Sequence, residues 1–337
     1  MQRAYGIKET DEGRKLRFVY HQSGISARYS VIPDFAGEES SGLFTDGDLC
    51  PDTETRMACY VQEAPALTQQ AAEDCLQKAG VALEEVTHFI TVSCTGLSAP
   101  GLELLVMERM GMPRHVHRTA VNFMGCYAAV HALKLADAFA RTDPKARVLV
   151  VCTELCTLHF QPEYSEDAAT ACALFGDGAA AVLVAGSDWT GRGLAIDGFY
   201  SEVVWAGKNE MAWNLSSHGF VMKLSGYIPD LLSQDIAPLL SRALEHTGIR
   251  REQVRHWCVH PGGKRILQVV GKSLGLSPED LGCSYKVLNE VGNLSSATIL
   301  FVLQEQWESL MADDEGKTFG VAFGPGLSME SFFLSAA

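Results

Sequence analysis

Cys126 combines a residue type and a position that suit nucleophilic catalysis. It follows Gly125 at the end of a run that reads as extended, and residues 127–141 are mostly apolar, with polar interruptions on one face. This pattern predicts a largely buried helix that opens at the cysteine. The helix dipole and the unsatisfied amides of a first turn favour a thiolate, so Cys126 is the predicted nucleophile. The alternative is a packed core cysteine, which is the commoner role of a buried thiol.

His260 and Asn293 are a candidate base and a candidate oxyanion partner. His260 ends a strand-like run before a Pro-Gly-Gly turn, and Asn293 follows a glycine ahead of an apolar helix. Cys94 and Cys126 are 32 residues apart and His260 and Asn293 are 33 apart, which indicates an ancient duplication. Equivalent corners of two matched halves converge at a cleft, so the three residues are expected to meet. Considered one at a time, His260 also fits a hydrogen-bonded core histidine and Asn293 also fits a helix N-cap, so these two interpretations remain open.

The elements around these residues alternate between strand-like and helix-like runs. Apolar strand-like runs lie at 88–94, 147–154, 255–260 and 318–326, and helical patterns lie between them. Such alternation is typical of an α/β protein. We therefore expect two α/β halves, residues 1–190 with the nucleophile and residues 191–337 with the histidine and the asparagine.

Composition excludes several classes of function. The chain has 337 residues, of which 47% are hydrophobic and 20% charged, so it is large enough for a substantial core. Its formal charge of −14 disfavours nucleic acid and anionic membranes as partners. Ten cysteines without paired CxxC motifs favour neither a zinc site nor a disulfide framework, and they suit a reducing cytoplasm. With no signal peptide and no long apolar stretch, a cytoplasmic location is expected.

Four motifs together resemble those of the type III polyketide synthases, the chalcone synthase-like branch of the thiolase superfamily. They are Gly-Cys at 125–126, Val-His-Pro-Gly-Gly at 259–263, Gly-Asn-Leu-Ser-Ser at 292–296 and Phe-Gly-Pro-Gly-Leu at 323–327. The similarity runs from about Lys15 to the C-terminus in the order and spacing of the family. It implies a thiolase-like five-layered αβαβα fold, a homodimer, and iterative decarboxylative condensation of malonyl-CoA onto an acyl starter.

The resemblance also implies a role for each of the three residues. Cys126 would carry the acyl starter as a thioester, with its thiolate favoured by His260 and the helix N-terminus. His260 and Asn293 would donate hydrogen bonds to the malonyl thioester carbonyl and stabilise the enolate left by loss of CO₂. The carbanion would then attack the acyl-cysteine, and the product would cyclise to a pyrone, a resorcinol or a small aromatic polyketide. No metal and no cofactor beyond the thioester substrates is expected.

Further residues are assigned to the cavity by the same resemblance. Phe175 matches a phenylalanine between the coenzyme A tunnel and the cavity, and Met222 stands where the family usually has a second one. His159 and Trp213 are bulkier than the residues usual at their positions, so we expect a small chamber and few extensions, to a tri- or tetraketide. The other predicted cavity residues are Cys94, Thr95, Cys156, Ser295, Gly324, Pro325 and Gly326.

Three basic residues are predicted to bind coenzyme A. Lys15 matches a phosphate-binding lysine of the family, Arg17 lies beside the position of a second cation, and Lys264 adds a third contact. Gln22 replaces a further cation, so a starter bound to an acyl carrier protein stays open. The family also begins with a strand that would precede Met1, and we expect that strand either to be dispensable or to lie outside this sequence.

Three other functions compete with this interpretation. A ketoacyl synthase III uses the same Cys, His and Asn for one condensation, but the Gly-Pro-Gly loop at 324–326 favours the polyketide synthase. A hydroxymethylglutaryl synthase needs an added acid, and Glu154, after a buried strand, is predicted to be structural. A silent partner subunit that binds an acyl chain or dimerises with an active paralogue belongs to a different class. The retained Cys, His and Asn argue against it, because a buried polar set is costly to keep.

Overall fold

Two four-stranded sheets and nine helices account for most of the part of the chain that the computed structural model describes, namely residues 7, 10–35, 42–45, 48–310 and 316–336. The first half contributes α1 (Asp11–Gln22), α2 (Thr53–Ala79), β1 (His88–Ser93), α3 (Leu102–Met110), β2 (His117–Asn122), α4 (Ala128–Thr142), β3 (Arg147–Leu155), α5 (Glu166–Leu174) and β4 (Asp177–Ala185). The second half contributes β5 (Leu194–Val203), β6 (Met211–Ser216), β7 (Gly219–Leu224), α6 (Ile228–Thr247), β8 (Val254–Val259), α7 (Lys264–Leu274), α8 (Gly282–Val291), α9 (Thr298–Ser309), β9 (Lys317–Gly324) and β10 (Ser328–Ala336).

The two sheets have related but not identical topologies. The first has the strand order β2-β1-β3-β4, with β1 parallel to both β2 and β3 and β4 antiparallel to β3. The second has the order β5-β10-β9-β8, with β8 parallel to β9 and the other pairs antiparallel. Parallel neighbours align their carboxyl ends, so the residues after β1 and β8 lie at sheet edges where side chains can reach a cleft.

Side chains alternate across each strand, so each sheet has an apolar cluster on both faces and the core consists of three clusters. Phe89 and Leu149 of the first sheet pack with α2 and α3, whereas Ile90 and Val148 face the opposite way and pack with α4 and α9. The other side of α4 and α9 meets the second sheet, whose far face is covered by α6, α7 and α8. The layers therefore follow the order helix, sheet, helix, sheet, helix, which confirms the predicted five-layered α/β fold.

Most predicted elements are present within a residue or two of their expected bounds. The predicted helix over 127–141 is α4, and the predicted strand over 255–260 is β8. The hairpin of β6 and β7, which pair antiparallel as a separate two-stranded sheet, was not predicted. Within the described residues, no helix is both long and apolar enough to cross a membrane.

Candidate active site

A cavity of about 1380 Å³ brings the three predicted catalytic residues together, and Cys126, His260 and Asn293 all line it. The other predicted residues that line it are Cys94, Thr95, Cys156, His159, Phe175, Trp213, Met222, Lys264, Ser295 and Pro325. Four predicted residues, all described by the structure, lie outside the lining: Gly324, Gly326, Lys15 and Arg17. The three residues that the duplication argument expected to converge thus share one cavity, whereas two of the three basic residues predicted to bind coenzyme A do not line it.

Cys126 lies in a tight turn between β2 and α4. Phe123 and Gly125 have φ values of +59° and +91°, and the Gly125 N–H donates to the Cys94 sulfur at 2.9 Å. A Cβ atom at position 125 would lie 2.2 Å from Pro325 Cδ. Only glycine permits both the left-handed backbone and this close approach of the Gly-Pro-Gly loop. The turn leaves Cys126 just ahead of α4, which begins at Ala128, and 8% exposed.

His260 directly follows β8 and is held by its backbone, whose N–H donates to the Val321 carbonyl at 2.9 Å. The residue is 1% exposed. Among the described residues, neither ring nitrogen has a hydrogen-bond partner. A core histidine normally satisfies its nitrogens, because an unpaired buried polar group costs free energy. The geometry therefore favours a histidine whose partner is a bound substrate.

Two hydrogen bonds fix the oxygen end of the Asn293 amide. Its Oδ1 accepts from the Ser295 N–H at 2.8 Å and from Thr298 Oγ1 at 3.2 Å. Both donors require an acceptor, so they orient the amide and leave Nδ2 as the end that can donate into the cavity. The N-cap interpretation accounts for Oδ1, since Asn293 does organise a turn. It does not account for the amide nitrogen, which is within reach of the Cys126 thiol and lowers the pKa of that thiol by hydrogen bonding.

Burial dominates the electrostatics of the cysteine and the histidine. Desolvation raises the pKa of the Cys126 thiol to about 12, although hydrogen bonds from Ser295 and Asn293 oppose this shift. Desolvation also lowers the pKa of His260 to about 3. Both groups are therefore neutral near pH 7. Burial therefore opposes the preformed thiolate expected from the sequence, and it outweighs the dipole of a helix that begins two residues later.

Glu154 links the corners of the two halves from below the cavity. Its side chain is fully buried, and Oε2 accepts from the Cys94 N–H at 2.9 Å and from Thr95 Oγ1 at 2.8 Å. Oε1 accepts from the Ser296 hydroxyl and, at 3.4 Å, from the Ser296 N–H. Burial raises the pKa of the carboxyl group, although these hydrogen bonds act in the opposite direction. Every contact is internal, as expected for the structural role predicted from the sequence.

His159, Phe220 and Trp213 form a continuous aromatic wall on one side of the cavity. The rings of His159 and Phe220 stack with centroids 4.2 Å apart, and Trp213 meets both edge-on at 5.4 and 5.7 Å. His159 Nε2 donates to the Thr95 carbonyl at 2.8 Å, and its Nδ1 accepts from the Phe220 N–H at 3.0 Å. Trp213 Nε1 donates to the Cys94 carbonyl at 2.7 Å. Hydrogen bonds thus fix the aromatic wall as well as packing does.

Phe175 and Met222 approach the cavity from different elements. Phe175 caps the C-terminus of α5, and the next residue, Gly176, donates its N–H to the Asn293 carbonyl at 3.0 Å. The position of Phe175 is thereby tied to the backbone of Asn293. Met222 lies on β7 opposite Trp213 of β6. Both predicted gate residues therefore line the cavity, and Met222 adds a flexible thioether beside the aromatic wall.

The predicted coenzyme A contacts are only partly assembled around the cavity. Lys264, at the start of α7, lines it. Lys15 is exposed on α1, with its Nζ 3.7 Å from a carboxylate oxygen of Glu166 on α5. Arg17 is also exposed on α1. Lys264 is therefore the predicted cation best placed to meet a ligand that enters the cavity.

Two residues of this region escaped the sequence analysis. Phe220 belongs to the unpredicted hairpin, and Arg56 is a fully buried arginine near the start of α2. Arg56 shares a helical register with the buried residues Tyr60, Ala64, Thr68 and Ala72. An arginine on the same face of a predicted helix as a row of small and apolar residues is the sequence signal that could have predicted the burial of Arg56. Within the described residues, no cluster of three or more His, Cys, Asp or Glu side chains could hold a metal ion.

Comparisons with known proteins cover nearly the whole chain. It matches the family described as "Chalcone and stilbene synthases, N-terminal domain" over residues 5–189 and the corresponding C-terminal domain over residues 199–337. "Probable polyketide synthase 1" of Dictyostelium discoideum is 28% identical over 337 residues, a match that covers 97% of this chain and 10% of that protein. The chain therefore spans about a tenth of that relative's length.

Two crystal structures extend the similarity to the fold. The C-terminal type III polyketide synthase domain of "Steely1", a type I/III hybrid from Dictyostelium, is 27% identical with a TM-score of 0.87, over 96% of this chain and 89% of that one. PKS-I from the brown alga Ectocarpus siliculosus is 27% identical with a TM-score of 0.90, over 99% of this chain and 93% of that one.

Proposed function

The chain belongs to the chalcone and stilbene synthase family, the type III polyketide synthases of the thiolase superfamily, and from this premise we propose that it extends an acyl starter by repeated decarboxylative condensation of malonyl units. The observation that carries the proposal is the cavity itself. A buried thiol, an imidazole whose two nitrogens have no partner among the described residues, and an amide whose nitrogen reaches the thiol all line it. Acyl transfer and enolate formation require this combination of groups.

Loading of the starter is proposed to begin from neutral groups. Because the pKa of Cys126 is about 12 and that of His260 about 3, the thiol must lose its proton as the thioester arrives. His260 accepts that proton while the Cys126 sulfur bonds to the starter carbonyl. The carbon–sulfur bond to the donor then breaks, and the departing thiolate takes the proton back from the imidazolium. The result is an acyl-Cys126 thioester and a free donor thiol.

Extension is proposed to use the same histidine as a donor. The malonyl thioester carbonyl accepts hydrogen bonds from Asn293 Nδ2 and from an N–H of neutral His260. The bond to the malonyl carboxylate breaks, CO₂ leaves, and the electron pair forms an enolate whose oxygen these donors stabilise. The enolate carbon attacks the acyl-Cys126 carbonyl, and the carbon–sulfur bond breaks to release the Cys126 sulfur. The chain, lengthened by an acetyl unit, is now on the incoming thioester and can return to Cys126.

The size of the product is proposed to be limited by the aromatic wall. His159 and Trp213 are bulkier than the residues usual at their positions and occupy one side of a cavity of about 1380 Å³, so we expect them, rather than the total volume, to limit the number of extensions. A triketide or tetraketide pyrone, resorcinol or small aromatic is the expected product class. The same residues that the sequence marked as bulky are held in place by hydrogen bonds, which supports a chamber of fixed size.

The source of the starter is proposed to be either a coenzyme A thioester or an acyl carrier protein. Lys264 lines the cavity, whereas Lys15 and Arg17 do not, so only one of the three cations predicted to bind coenzyme A lies there. The Steely1 structure is described as a domain of a type I/III hybrid. Starters offered in both forms to the same protein, with loading of Cys126 measured by intact-protein mass spectrometry, separate the two sources.

A homodimer is proposed from the exposed side of the first sheet. β2 is an edge strand of that sheet, and four of its six residues are exposed. Leu97 and Leu104, which follow β1, are 41% and 38% exposed. An open edge beside exposed apolar side chains suits pairing with a second copy. Sedimentation velocity would test it, and a monomer at all concentrations would contradict it.

The test of the function is incubation with malonyl-CoA and a panel of acyl-CoA starters, followed by mass spectrometry of the products. We expect pyrones, resorcinols or small aromatics from the native protein and none from Cys126→Ala. Asn293→Asp should still load Cys126 but lose about 10²–10³-fold in decarboxylation, because it replaces an enolate donor by a carboxylate. A single condensation that needs carrier-protein malonyl would favour a ketoacyl synthase III. Absence of any product with either donor would favour a silent subunit.

A further inference from the structure

Arg56 holds the backbone on both sides of His159. Its Nη1 donates to the Leu158 carbonyl at 2.8 Å and to the Phe160 carbonyl at 2.7 Å, and Nε donates to the Pro51 carbonyl at 2.8 Å. The residue is 0% exposed. One guanidinium therefore bridges the start of α2 and the segment that presents His159 to the cavity.

Thr53, one turn earlier in the same helix, holds the hairpin that carries the rest of the aromatic wall. Its Oγ1 donates to the Ser216 carbonyl at 2.6 Å and accepts from the Gly219 N–H at 2.7 Å. Its own N–H donates to the Ser217 carbonyl at 2.9 Å. These bonds fix the turn between β6, which carries Trp213, and β7, which carries Phe220. Thr53 and Arg56 thus hold, by hydrogen bonds, the two backbone segments that carry the aromatic wall: the residues beside His159 and the turn of the hairpin.

We infer that Arg56, together with Thr53 in the same turn of α2, is a positioning residue that fixes the aromatic wall and so sets the number of extension units. The inference rests on the proposed polyketide synthesis and deepens it. Arg56 is not among the residues that line the cavity, so it acts through His159 and the adjoining backbone. Its effect is on the size of the chamber rather than on the reacting atoms.

The cost of burying Arg56 supports this role. A buried guanidinium loses its hydration, and the bonds described above go to main-chain carbonyls rather than to a carboxylate. Its Nη2 has no partner among the described residues. An apolar side chain would fill the same space without that cost, so packing alone does not explain the arginine. A planar, multiply donating group is what two carbonyls on either side of His159 require.

Four variants test the inference with wild type as reference. Arg56→Met removes the bonds at similar length, Arg56→Lys keeps the charge but not the fork, and Thr53→Val removes both hydroxyl bonds with almost no change of shape. Thr55→Val is the matched control, because Thr55 is exposed in the same helical turn. Each protein is given a starter and malonyl-CoA, and three quantities are measured: the product lengths by mass spectrometry, the rate of Cys126 loading, and the KM for malonyl-CoA.

We expect the ratio of products longer than a tetraketide to shorter ones to rise at least about fivefold in Thr53→Val and Arg56→Met, because loss of one hydrogen bond gives about that factor and each variant loses more than one. Arg56→Lys should lie between Arg56→Met and wild type, and Thr55→Val should match wild type. Cys126 loading and the KM should stay within about twofold of wild type, because the reacting groups are untouched. If the arginine variants do not fold, Thr53→Val carries the test.

The outcomes separate this inference from the proposed function. If wild type makes polyketides and folded Thr53→Val and Arg56→Lys give an unchanged length distribution, the inference is overturned and the proposed function stands. A yield that falls in proportion to the folded fraction, with the same distribution, assigns Arg56 to stability alone and also overturns it. If wild type makes no polyketide, both proposals fall together.

Discussion

Two buried histidines face the same cavity, and they differ in one respect only. His159 is 5% exposed and His260 is 1% exposed, and burial lowers the pKa of each to about 3. Yet both nitrogens of His159 are occupied, by the Thr95 carbonyl and the Phe220 N–H, whereas neither nitrogen of His260 has a partner among the described residues. The two residues are therefore distinguished by their hydrogen bonds and not by their exposure or their pKa.

This comparison shows how one cavity separates structure from chemistry. A histidine with both nitrogens occupied is fixed in one tautomer, so it cannot take up or deliver a proton without breaking its contacts. A buried histidine with no hydrogen-bond partner lowers the stability of the free protein. Its two nitrogens can then form hydrogen bonds to a substrate or exchange a proton with it. Assigning the wall role to His159 and the base role to His260 therefore gives opposite expectations for the same substitution at the two positions.

The largest effect is expected from His260→Leu. Polyketide formation should fall by about 10³-fold or more, because the variant lacks both the proton acceptor and a donor to the enolate. The free energy of unfolding should be unchanged or slightly higher, since an apolar side chain replaces an unpaired buried polar group. Product mass spectrometry and urea unfolding measure the two quantities. Activity within tenfold of wild type would remove His260 from the mechanism.

The matched variant His159→Leu should show the reverse pattern. It leaves the Thr95 carbonyl and the Phe220 N–H without partners, so the free energy of unfolding should fall by about 2 kcal/mol or more. Cys126 loading should stay within about threefold of wild type, because no reacting atom is removed. A variant that is as stable as wild type but cannot load Cys126 would reverse the two assignments.

A smaller effect is expected in the pH dependence of stability. The pKa of each histidine is about 3 in the folded protein, below its ordinary value of 6.5, so the unfolded chain binds protons first as the pH falls. The stability that each neutral ring contributes is complete above pH 6.5 and is lost as the pH drops towards 3, by up to about 1.4 kcal/mol per pH unit. Urea midpoints at pH 7, 6 and 5 should therefore decline. Each leucine variant should decline less steeply, and equal slopes would contradict the burial of the rings.

The smallest effect is expected in the alkylation of Cys126 by iodoacetamide. Because the pKa of the thiol is about 12, its rate at neutral pH should be low and should rise about tenfold per pH unit below that value. His260→Leu should slow the reaction a few-fold and His159→Leu should leave it unchanged. Peptide mass spectrometry distinguishes Cys126 from the other thiols. Rapid, pH-independent alkylation at pH 7 would instead indicate a preformed thiolate.

The sequence was sufficient to predict that Cys126, His260 and Asn293 meet at one cavity, because their meeting depends on spacing. The strands that precede Cys94 and His260 end where the apolar runs end, and the glycines at 125 and 292 mark the turns that expose Cys126 and Asn293. Both glycines have positive φ, a backbone conformation that other residues rarely adopt. Corners of this kind are local features, so a sequence pattern can locate them.

The features that the sequence did not predict depend on contacts between distant segments. The protonation state of Cys126 follows from complete burial, which a helix-terminus argument cannot estimate. Arg56 reaches carbonyls more than 100 residues away in the chain. The hairpin of β6 and β7 lacks a strict alternation of apolar and polar residues, and its part in the aromatic wall depends on the packing of Phe220 on His159. No periodicity records such pairings.

Glu154 carries a consequence for protein engineering. Its buried carboxylate is satisfied by Thr95 and Cys94 from the first predicted half and by Ser296 from the second. Expressed alone, an N-terminal fragment would lose the Ser296 hydroxyl bond and leave part of a desolvated carboxylate without a donor. Folding of the first predicted half is therefore expected to depend on the second. Chimeras that exchange one half between relatives should therefore join a first half that carries this glutamate to a second half that carries its serine.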